Sequence, residues 1–184
     1  MNQLGAYEKT GIIEIQSYGK IDTCFISDID DGDTFDLDCG GGYYPDVRLL
    51  GVNTPDFNHV TEGGNCYYNE ARTYIAERRN KIYNVKFYGN DLCKDPFKGC
   101  RNLVQLTESK THTDLGQMMI LRGFAFSWTN FSIIPENLRE TYNRMEKFSS
   151  ANQLGLWKQC NLKYHELQGM DVGIPRIMTS TIRK

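Results

Sequence analysis

Asp31-Gly32-Asp33-Thr34-Phe35 and, further along, Val47-Arg48-Leu49-Leu50-Gly51-Val52-Asn53-Thr54-Pro55-Asp56 are the two stretches on which the fold prediction depends. Asp31-Gly32 is a turn signal, and the apolar positions on either side of it alternate as they do in strands. The second stretch contains a compact apolar strand over 47–52, which ends at Asn53-Thr54-Pro55 because proline cannot donate to a sheet ladder. Each stretch therefore predicts a strand that begins or ends at polar side chains.

The rest of the chain predicts short strands interleaved with helices. Strand patterns cover residues 11–39, 47–52, 83–88 and 101–106, and helix patterns cover 69–82, 113–123 and 136–154. In the last helix, Leu138, Tyr142, Met145 and Phe148 are expected to form the buried stripe. Short antiparallel strands with helices between and after them favour an α+β fold, an OB-type five-stranded antiparallel β-barrel with three α-helices.

The length of 184 residues suits one domain with a modest tail. We expect an N-terminal extension over 1–10, the OB-type domain over 11–160 and a C-terminal tail over 161–184, because hydrophobic periodicity is lost after Cys160. The net charge of −2 argues against a general basic coat for nucleic acid, but it allows an enzyme with a few placed cations. No stretch approaches the ~18 apolar residues of a membrane span, so no membrane partner is expected.

The six cysteines are an even number, which permits disulfides. The better candidates lie in polar, loop-like surroundings: Cys66, Cys93, Cys100 and Cys160. Cys24 and Cys39 lie in strand patterns, where a small buried residue and a bridge are equally good interpretations. An even number of cysteines, four of them in loop-like positions, favours an oxidising compartment, so an extracellular or periplasmic location is expected. The chain begins without a signal-peptide pattern, which keeps an intracellular location open.

Two charged residues in the opening stretches have both a structural and a functional interpretation. Asp33 follows a tight turn and has the parity of Phe35, so its carboxylate is expected at the mouth of the barrel, although Asp-Gly is also common in simple hairpin turns. Arg48 lies inside an apolar strand and must find a partner, which is either a structural carboxylate or an anionic ligand such as phosphate.

Oxygen-bearing side chains follow the second strand. Asn53, Thr54 and Asp56 surround Pro55, and amide, carbonyl and carboxylate oxygens are the ligands that Ca²⁺ prefers, with Mg²⁺ the weaker alternative. The structural alternative is a proline turn capped by its polar neighbours. Arg101 opens a later strand and is either a second cation at the same site or a solvated surface arginine.

These stretches, together with Arg101-Asn102-Leu103-Val104, resemble the signature blocks of the staphylococcal nuclease (thermonuclease) family. Further matching landmarks are Asn69-Glu70-Ala71, Arg122-Gly123-Phe124-Ala125 and Leu154-Gly155-Leu156-Trp157, so the resemblance covers residues 11–160. It implies an OB-fold barrel with three helices and a Ca²⁺-dependent nuclease. Such an enzyme hydrolyses DNA and RNA without regard to the sugar, prefers single-stranded or frayed substrate, and is expected to be a monomer.

The resemblance also implies a role for each matching residue. Asp33, Asn53 and Thr54 would hold the cation, and Asp31 would support them. Arg48 and Arg101 would clamp the phosphate, and Asp56 would orient or deprotonate the attacking water. The residues implied in substrate binding are Lys98, Trp128 and Phe131.

Two departures from the family pattern affect this assignment. Asn53 provides an oxygen but no negative charge, and Asp56 stands where the family usually has the longer glutamate. Since a displacement of about 1 Å at a catalytic group can lower the rate ~10²-fold, the shorter side chain matters. The alternative function is a nuclease-like binding or scaffold module with weak or no catalysis. The retention of both arginines, Asp33 and a carboxylate at position 56 favours the enzyme.

Overall fold

The computed structural model describes residues 21–58, 63–90, 101–130, 133–165 and 169–175. The strands are β1 (Ile21–Ile29), β2 (Thr34–Asp38), β3 (Tyr43–Leu49), β4 (Val52–Asn53), β5 (Phe57–Asn58), β6 (Gly63–Gly64), β7 (Tyr83–Asn90), β8 (Asn102–Glu108), β9 (Phe126–Ser127), β10 (Cys160–His165) and β11 (Gly169–Pro175). The helices are α1 (Tyr68–Ala76), α2 (Leu115–Leu121), α3 (Glu136–Ala151) and the single turn α4 (Leu156–Gln159). Among the described residues, no helix is long and apolar enough to cross a membrane.

Five strands close into a barrel in the order β1-β2-β3-β8-β7. This confirms the predicted OB-type α+β fold. One detail differs from the predicted antiparallel barrel: β3 and β8 are parallel, whereas the other barrel pairs are antiparallel. The strand 11–20 of the prediction lies outside the described residues.

The register of β3 places Arg48 on the outer face of the barrel. Arg48 is paired with Thr34 of β2 and Leu103 of β8, whereas its neighbour Val47 is paired with Phe35. Side chains of directly paired residues point to the same face of a sheet, and adjacent residues point to opposite faces. Since Val47 and Phe35 belong to the buried core, Arg48 points away from the barrel interior and is covered by the elements that pack outside it.

Helix α1 supports the part of β1 that lies beyond its pairing with β7. The pairing with β7 covers Ile21 to Cys24. Further along β1, Arg72 donates to the carbonyls of Ile29 and Asp30, at 3.0 and 3.2 Å, and Arg79 donates to that of Ser27. These guanidinium groups satisfy backbone acceptors that a neighbouring strand would otherwise bind.

Helix α3 packs against α2 through a stripe that differs from the predicted one. Leu138 and Tyr142 are buried and Met145 is partly buried against the core, as expected, but Phe148 is 52% exposed and its neighbour Ser149 is buried instead. Tyr142 and Ser149 are seven residues apart, two helical turns, and so lie on one face. The Ser149 hydroxyl is 2.6 and 2.7 Å from the carbonyls of Ile120 and Leu121 and caps the end of α2.

Two disulfides join distant parts of the described chain. Cys66 is bonded to Cys160, as their loop-like settings suggested, and Cys24 is bonded to Cys39. The sequence left open whether Cys24 and Cys39 are buried thiols or a disulfide. They form a disulfide because β1 and β2 are neighbouring strands and bring the two side chains together. Cys93 and Cys100 lie outside the described residues.

The segment after Cys160, where the sequence suggested an aperiodic tail, contains a hairpin. Strand β10 pairs antiparallel with β11, from Cys160 opposite Pro175 to His165 opposite Gly169. Cys160 begins this hairpin and is bonded to Cys66. The disulfide therefore ties the start of the hairpin to the chain just before α1.

A buried carboxylate on α3 should make the stability depend on pH. Burial raises the pKa of Glu146, and a hydrogen bond from Ser127 N opposes the change. The folded state therefore favours the neutral form, and this stabilisation is fully present below the unfolded pKa of about 4.3 and lost as pH rises through the folded value. We expect Glu146→Gln, which keeps an acceptor for Ser127, to gain stability relative to the wild type between pH 4 and pH 7.

Urea denaturation at a series of pH values measures this difference in the free energy of unfolding. Glu140→Gln, at an exposed position of the same helix, is the control and should leave the pH dependence unchanged. Parallel curves for the wild type and Glu146→Gln would contradict the expectation.

Candidate active site

A tight turn between β1 and β2 presents the first of the predicted site residues. Oδ1 of Asp31 accepts hydrogen bonds from the backbone N–H groups of Asp33, at 3.0 Å, and Thr34, at 2.7 Å. This carboxylate therefore holds the turn in shape, as the supporting role assigned to it requires. Gly32 lies in the turn, and a Cβ added there would be 2.8 Å from Thr54 Cγ2 and 2.9 Å from Ala71 Cβ. Only glycine allows such close packing of the turn against its neighbours.

The centre of the site is a buried ion pair between Asp33 and Arg48. Asp33 is 0% exposed and Arg48 is 7% exposed. Nη1 of Arg48 donates to Oδ1 of Asp33, and the Thr34 hydroxyl is 3.3 Å from the same oxygen. The two charges therefore neutralise each other in an environment where either charge alone would be strongly unfavourable.

The loop after β3 closes around this pair. Nη2 of Arg48 donates to the carbonyl of Val52, at 3.1 Å, and to Oδ1 of Asn53, at 2.9 Å. The backbone N–H of Thr54 donates to Oδ2 of Asp33 at 2.5 Å. The predicted cation ligands Asp33, Asn53 and Thr54 are therefore brought together, and Arg48 lies between them.

Trp128 completes the cover over Arg48. The Arg48 guanidinium carbon is 5.6 Å from the centre of the Trp128 ring, within cation–π range. Trp128 N donates to the carbonyl of Gly51 at 2.8 Å, next to the pairing of β4 with β9. The resemblance implied a substrate-binding role for Trp128, and the structure places it against the site arginine.

Helix α3 holds the segment that carries Trp128. Oδ1 of Asn143 is 2.6 Å from the hydroxyl of Ser127 and 2.9 Å from that of Thr129. Glu146 accepts a hydrogen bond of 2.9 Å from Ser127 N. The residues on both sides of the tryptophan are therefore fixed by one helix face.

Arg101 contributes its positive charge to the same region. It lies at the start of β8, half-buried, and is one of the charges that act on Asp31. Burial raises the pKa of the Asp31 carboxyl above its ordinary value, while Arg48, the hydrogen bonds from Thr34 and then Arg101 oppose that increase. The two predicted phosphate-binding arginines therefore converge on one turn from different strands.

Asp56 follows the loop and differs from the other carboxylates in its exposure. It is an exposed residue two positions after the buried Thr54, and its carbonyl accepts a hydrogen bond of 3.0 Å from Asn65 N. An exposed carboxylate beside a buried ion pair is in contact with bulk water. Asp56 therefore differs in exposure from Asp33, which is 0% exposed.

The donors in the site have the chemistry that a calcium ion requires. Carboxylate, amide and hydroxyl oxygens are all hard ligands, and the Thr54 hydroxyl is buried without a hydrogen-bond partner. Within the described ranges there is no group of three or more His, Cys, Asp or Glu residues suited to a metal. The set therefore matches the ion in ligand type but carries little negative charge.

Some site residues are missing from the sequence prediction or lie beyond the structure. Lys98 and Phe131 are outside the described residues. Thr34 and the Val52 carbonyl, which bind the ion pair, were not predicted, because nothing in a strand pattern shows which backbone acceptor faces a side chain. The dipeptide Asp31-Gly32 predicted a turn, but it did not predict the close packing of Gly32 against its neighbours.

The comparison with protein families agrees with this geometry. The family model described as staphylococcal nuclease homologue matches residues 46–159, more than half of the chain. The chain belongs to the staphylococcal nuclease family. No curated protein matched the chain in a sequence search. The matched range of the nuclease family includes Arg48, Asn53, Thr54, Asp56 and Arg101, and the ion pair joins Asp33 from outside that range to the same site.

A double-mutant cycle should show strong coupling across the ion pair. Arg48→Met leaves the Asp33 charge buried without a counterion, which should lower the free energy of unfolding by about 3–5 kcal/mol. Asp33→Asn keeps an acceptor for Thr54 N but leaves Arg48 unpaired. The double variant should lose less than the sum of the single variants by about 0.5–3 kcal/mol, measured by urea denaturation.

The more exposed pair Lys81–Glu108, with side chains 39% and 16% exposed and 2.8 Å apart, provides a matched cycle. Lys81→Met with Glu108→Gln should show a coupling of only about 0.2–1 kcal/mol. Equal coupling in the two cycles would mean that burial does not strengthen the Asp33–Arg48 interaction.

The turn glycine gives a separate test of how tightly the site is packed. Gly32→Ala should lower the free energy of unfolding by about 1–3 kcal/mol, because the new methyl group overlaps Thr54 and Ala71. Gly41→Ala is the control, since a Cβ at Gly41 has no atom within 4 Å. An equal and small effect of both substitutions, measured by thermal or urea unfolding, would refute the packing constraint.

Proposed function

We propose that this chain is a Ca²⁺-dependent, sugar-nonspecific nuclease that hydrolyses phosphodiester bonds of DNA and RNA by attack of water. The observation that carries the proposal is the buried Asp33–Arg48 pair with Asn53 and Thr54 closed around it. A scaffold gains little stability from a buried ion pair, which apolar residues of similar volume could replace. Its presence in a nuclease-family site therefore supports a role in chemistry.

The arginines would bind and stabilise the phosphate. Guanidinium groups form bidentate contacts with phosphate oxygens, and they stabilise the negative charge that grows as water attacks phosphorus. Arg48 donates to Asp33, Val52 and Asn53 in the absence of substrate, so phosphate binding would replace some of these hydrogen bonds. Arg101 approaches the same turn from β8 and would supply the second contact.

Asp33, Asn53 and Thr54 are the residues that would hold the calcium ion, with Asp31 shaping the turn behind them. When bound, the ion supplies Lewis-acid polarisation of a phosphoryl oxygen. Arg48 shares Asp33 and Asn53, and Asn53 brings no charge of its own. We therefore expect weaker calcium binding than a site with a second carboxylate at position 53 would show.

Asp56 would orient the attacking water and accept its proton. General-base catalysis needs a carboxylate within hydrogen-bond reach of the water, and Asp56 is exposed next to the site. Its side chain is one methylene shorter than glutamate, a difference of about 1.5 Å. We therefore expect the distance between the Asp56 carboxylate and the attacking water to limit the rate of hydrolysis.

The disulfides support the proposed location outside the reducing cytosol, in an extracellular or periplasmic space. Such bridges persist in oxidising environments and are rare in the cytosol. Single-stranded or frayed DNA and RNA are the proposed substrates, and a monomer is the proposed working form.

The length of the side chain at position 56 gives the sharpest functional prediction. With Ca²⁺, the wild type should cleave plasmid and single-stranded DNA, and excess chelator should abolish cleavage. Asp56→Ala should lower the rate by about 10²-fold, and Asp56→Glu should raise it by about 10-fold by restoring the longer reach. The measurement is the initial rate of cleavage of a labelled oligonucleotide.

Variants elsewhere on the surface separate this result from general effects. Glu140→Ala removes an exposed carboxylate and Arg144→Ala an exposed arginine from α3, and both should retain wild-type rates. Arg48→Ala should abolish cleavage, with circular dichroism used to confirm folding. Binding of DNA without cleavage by the wild type and by Asp56→Glu would instead support the binding-module alternative.

A further inference from the structure

We propose that Phe57 and Tyr68 form a stacking surface for one unpaired nucleobase of the substrate, next to the carboxylate of Asp56. The inference rests on the proposed nuclease function and adds a substrate contact to it. We call this pair the Phe57–Tyr68 platform. Both residues follow Asp56 in the sequence, whereas the proposed cation ligands precede it.

Phe57 has the exposure that a stacking residue needs. Its side chain is 42% exposed, although it lies in strand β5 close to the buried site. It directly follows Asp56, so the two Cα atoms are about 3.8 Å apart. The backbone of Phe57 therefore lies directly beside that of the proposed water-binding residue.

Tyr68 holds the Phe57 ring in a defined orientation. The two ring centres are 5.7 Å apart at an interplanar angle of 65°, an edge-to-face contact. This contact holds the phenylalanine ring at a defined angle to the tyrosine ring. The Tyr68 hydroxyl is 3.3 Å from the carbonyl of Asp30, beside the turn that carries Asp31 and Asp33.

The platform therefore spans the two chain segments that build the site. Phe57 belongs to the loop after Thr54, and Tyr68 binds the turn between β1 and β2. The loop is further held by pairing of Phe57 with Gly64 and by the hydrogen bond from Asn65 N to the Asp56 carbonyl. A rigid aromatic surface orders a ligand at a smaller entropic cost than a flexible one.

The surrounding charges favour a nucleobase over an apolar protein partner. Arg72, an exposed residue one helical turn after Tyr68, donates to the same Asp30 carbonyl that the Tyr68 hydroxyl binds. The charge of Arg101 acts on the neighbouring Asp31. An aromatic ring next to cations is the combination that binds single-stranded nucleic acids. Every base has a π-face, so the contact is tolerant of sequence. A base in a duplex has its faces covered by its neighbours, so the platform favours single-stranded substrate.

The experiment removes either the ring or the base. We would measure the affinity of a fluorescent single-stranded oligonucleotide by anisotropy, with excess chelator to prevent cleavage, for the wild type, Phe57→Ala, Phe57→Leu and Phe57→Trp. Phe148→Ala is the control, because Phe148 is also an exposed phenylalanine, at 52%, and lies on α3. A set of oligonucleotides carries one abasic sugar at successive positions.

We expect Phe57→Ala and Phe57→Leu to weaken binding about 5- to 100-fold, and Phe57→Trp and Phe148→Ala to change it less than about 2-fold. One abasic position should weaken binding to the wild type by a similar factor and have no further effect on Phe57→Ala. A purely structural role for the ring would weaken binding to all oligonucleotides equally, and this result would overturn the proposal. Wild-type affinity in Phe57→Ala, or no measurable binding by the wild type, would also overturn it.

Cleavage rates with Ca²⁺ distinguish this failure from failure of the proposed function. Binding that depends on Phe57 without any cleavage would keep the platform and reject the nuclease. Cleavage by the wild type, with equal rates and affinities for Phe57→Ala and Phe148→Ala, would keep the nuclease and reject the platform.

Discussion

The buried interaction between Asp33 and Arg48 is the constraint on which the arrangement of the site depends. It joins the turn before β2 to strand β3, and the remaining bonds of the same two side chains fix Val52, Asn53 and Thr54. An arginine on the outer face of a strand would ordinarily be solvated. Here Trp128 and the loop after β3 cover it, so the segments that pack there surround a charge as well as apolar surface.

This arrangement gives Arg48 two roles that compete. In the absence of ligand it is the counterion of Asp33, and the pair keeps a buried carboxylate ionised at an acceptable cost. With a cation and a phosphate bound, the carboxylate would face a metal and the guanidinium would face an anion. Without ligand, the proposed cation ligand and the proposed phosphate ligand therefore pair with each other. Ligand binding would replace this ion pair by an interaction of Asp33 with the cation and of Arg48 with the phosphate.

Much of this could be predicted from the sequence. The barrel followed from alternating apolar positions, and Asp33, Arg48, Asn53 and Thr54 were placed in one site by residue type and family resemblance. Local patterns do not contain the cross-strand register that joined Cys24 to Cys39, and they did not show that β3 and β8 are parallel. Phe148 shows the limit of helical periodicity, since a stripe can shift by one residue where a serine caps a neighbouring helix.

The disulfide between Cys66 and Cys160 determines what happens when a protease cuts the backbone between these two residues. The two cysteines are separated by 94 residues, and every element from α1 to α4 lies between them. Any single cut of the backbone between them leaves two fragments that are still covalently joined. A clipped molecule would therefore keep its two parts at a high effective concentration, and the barrel could stay assembled after a cut that would separate an unbridged chain.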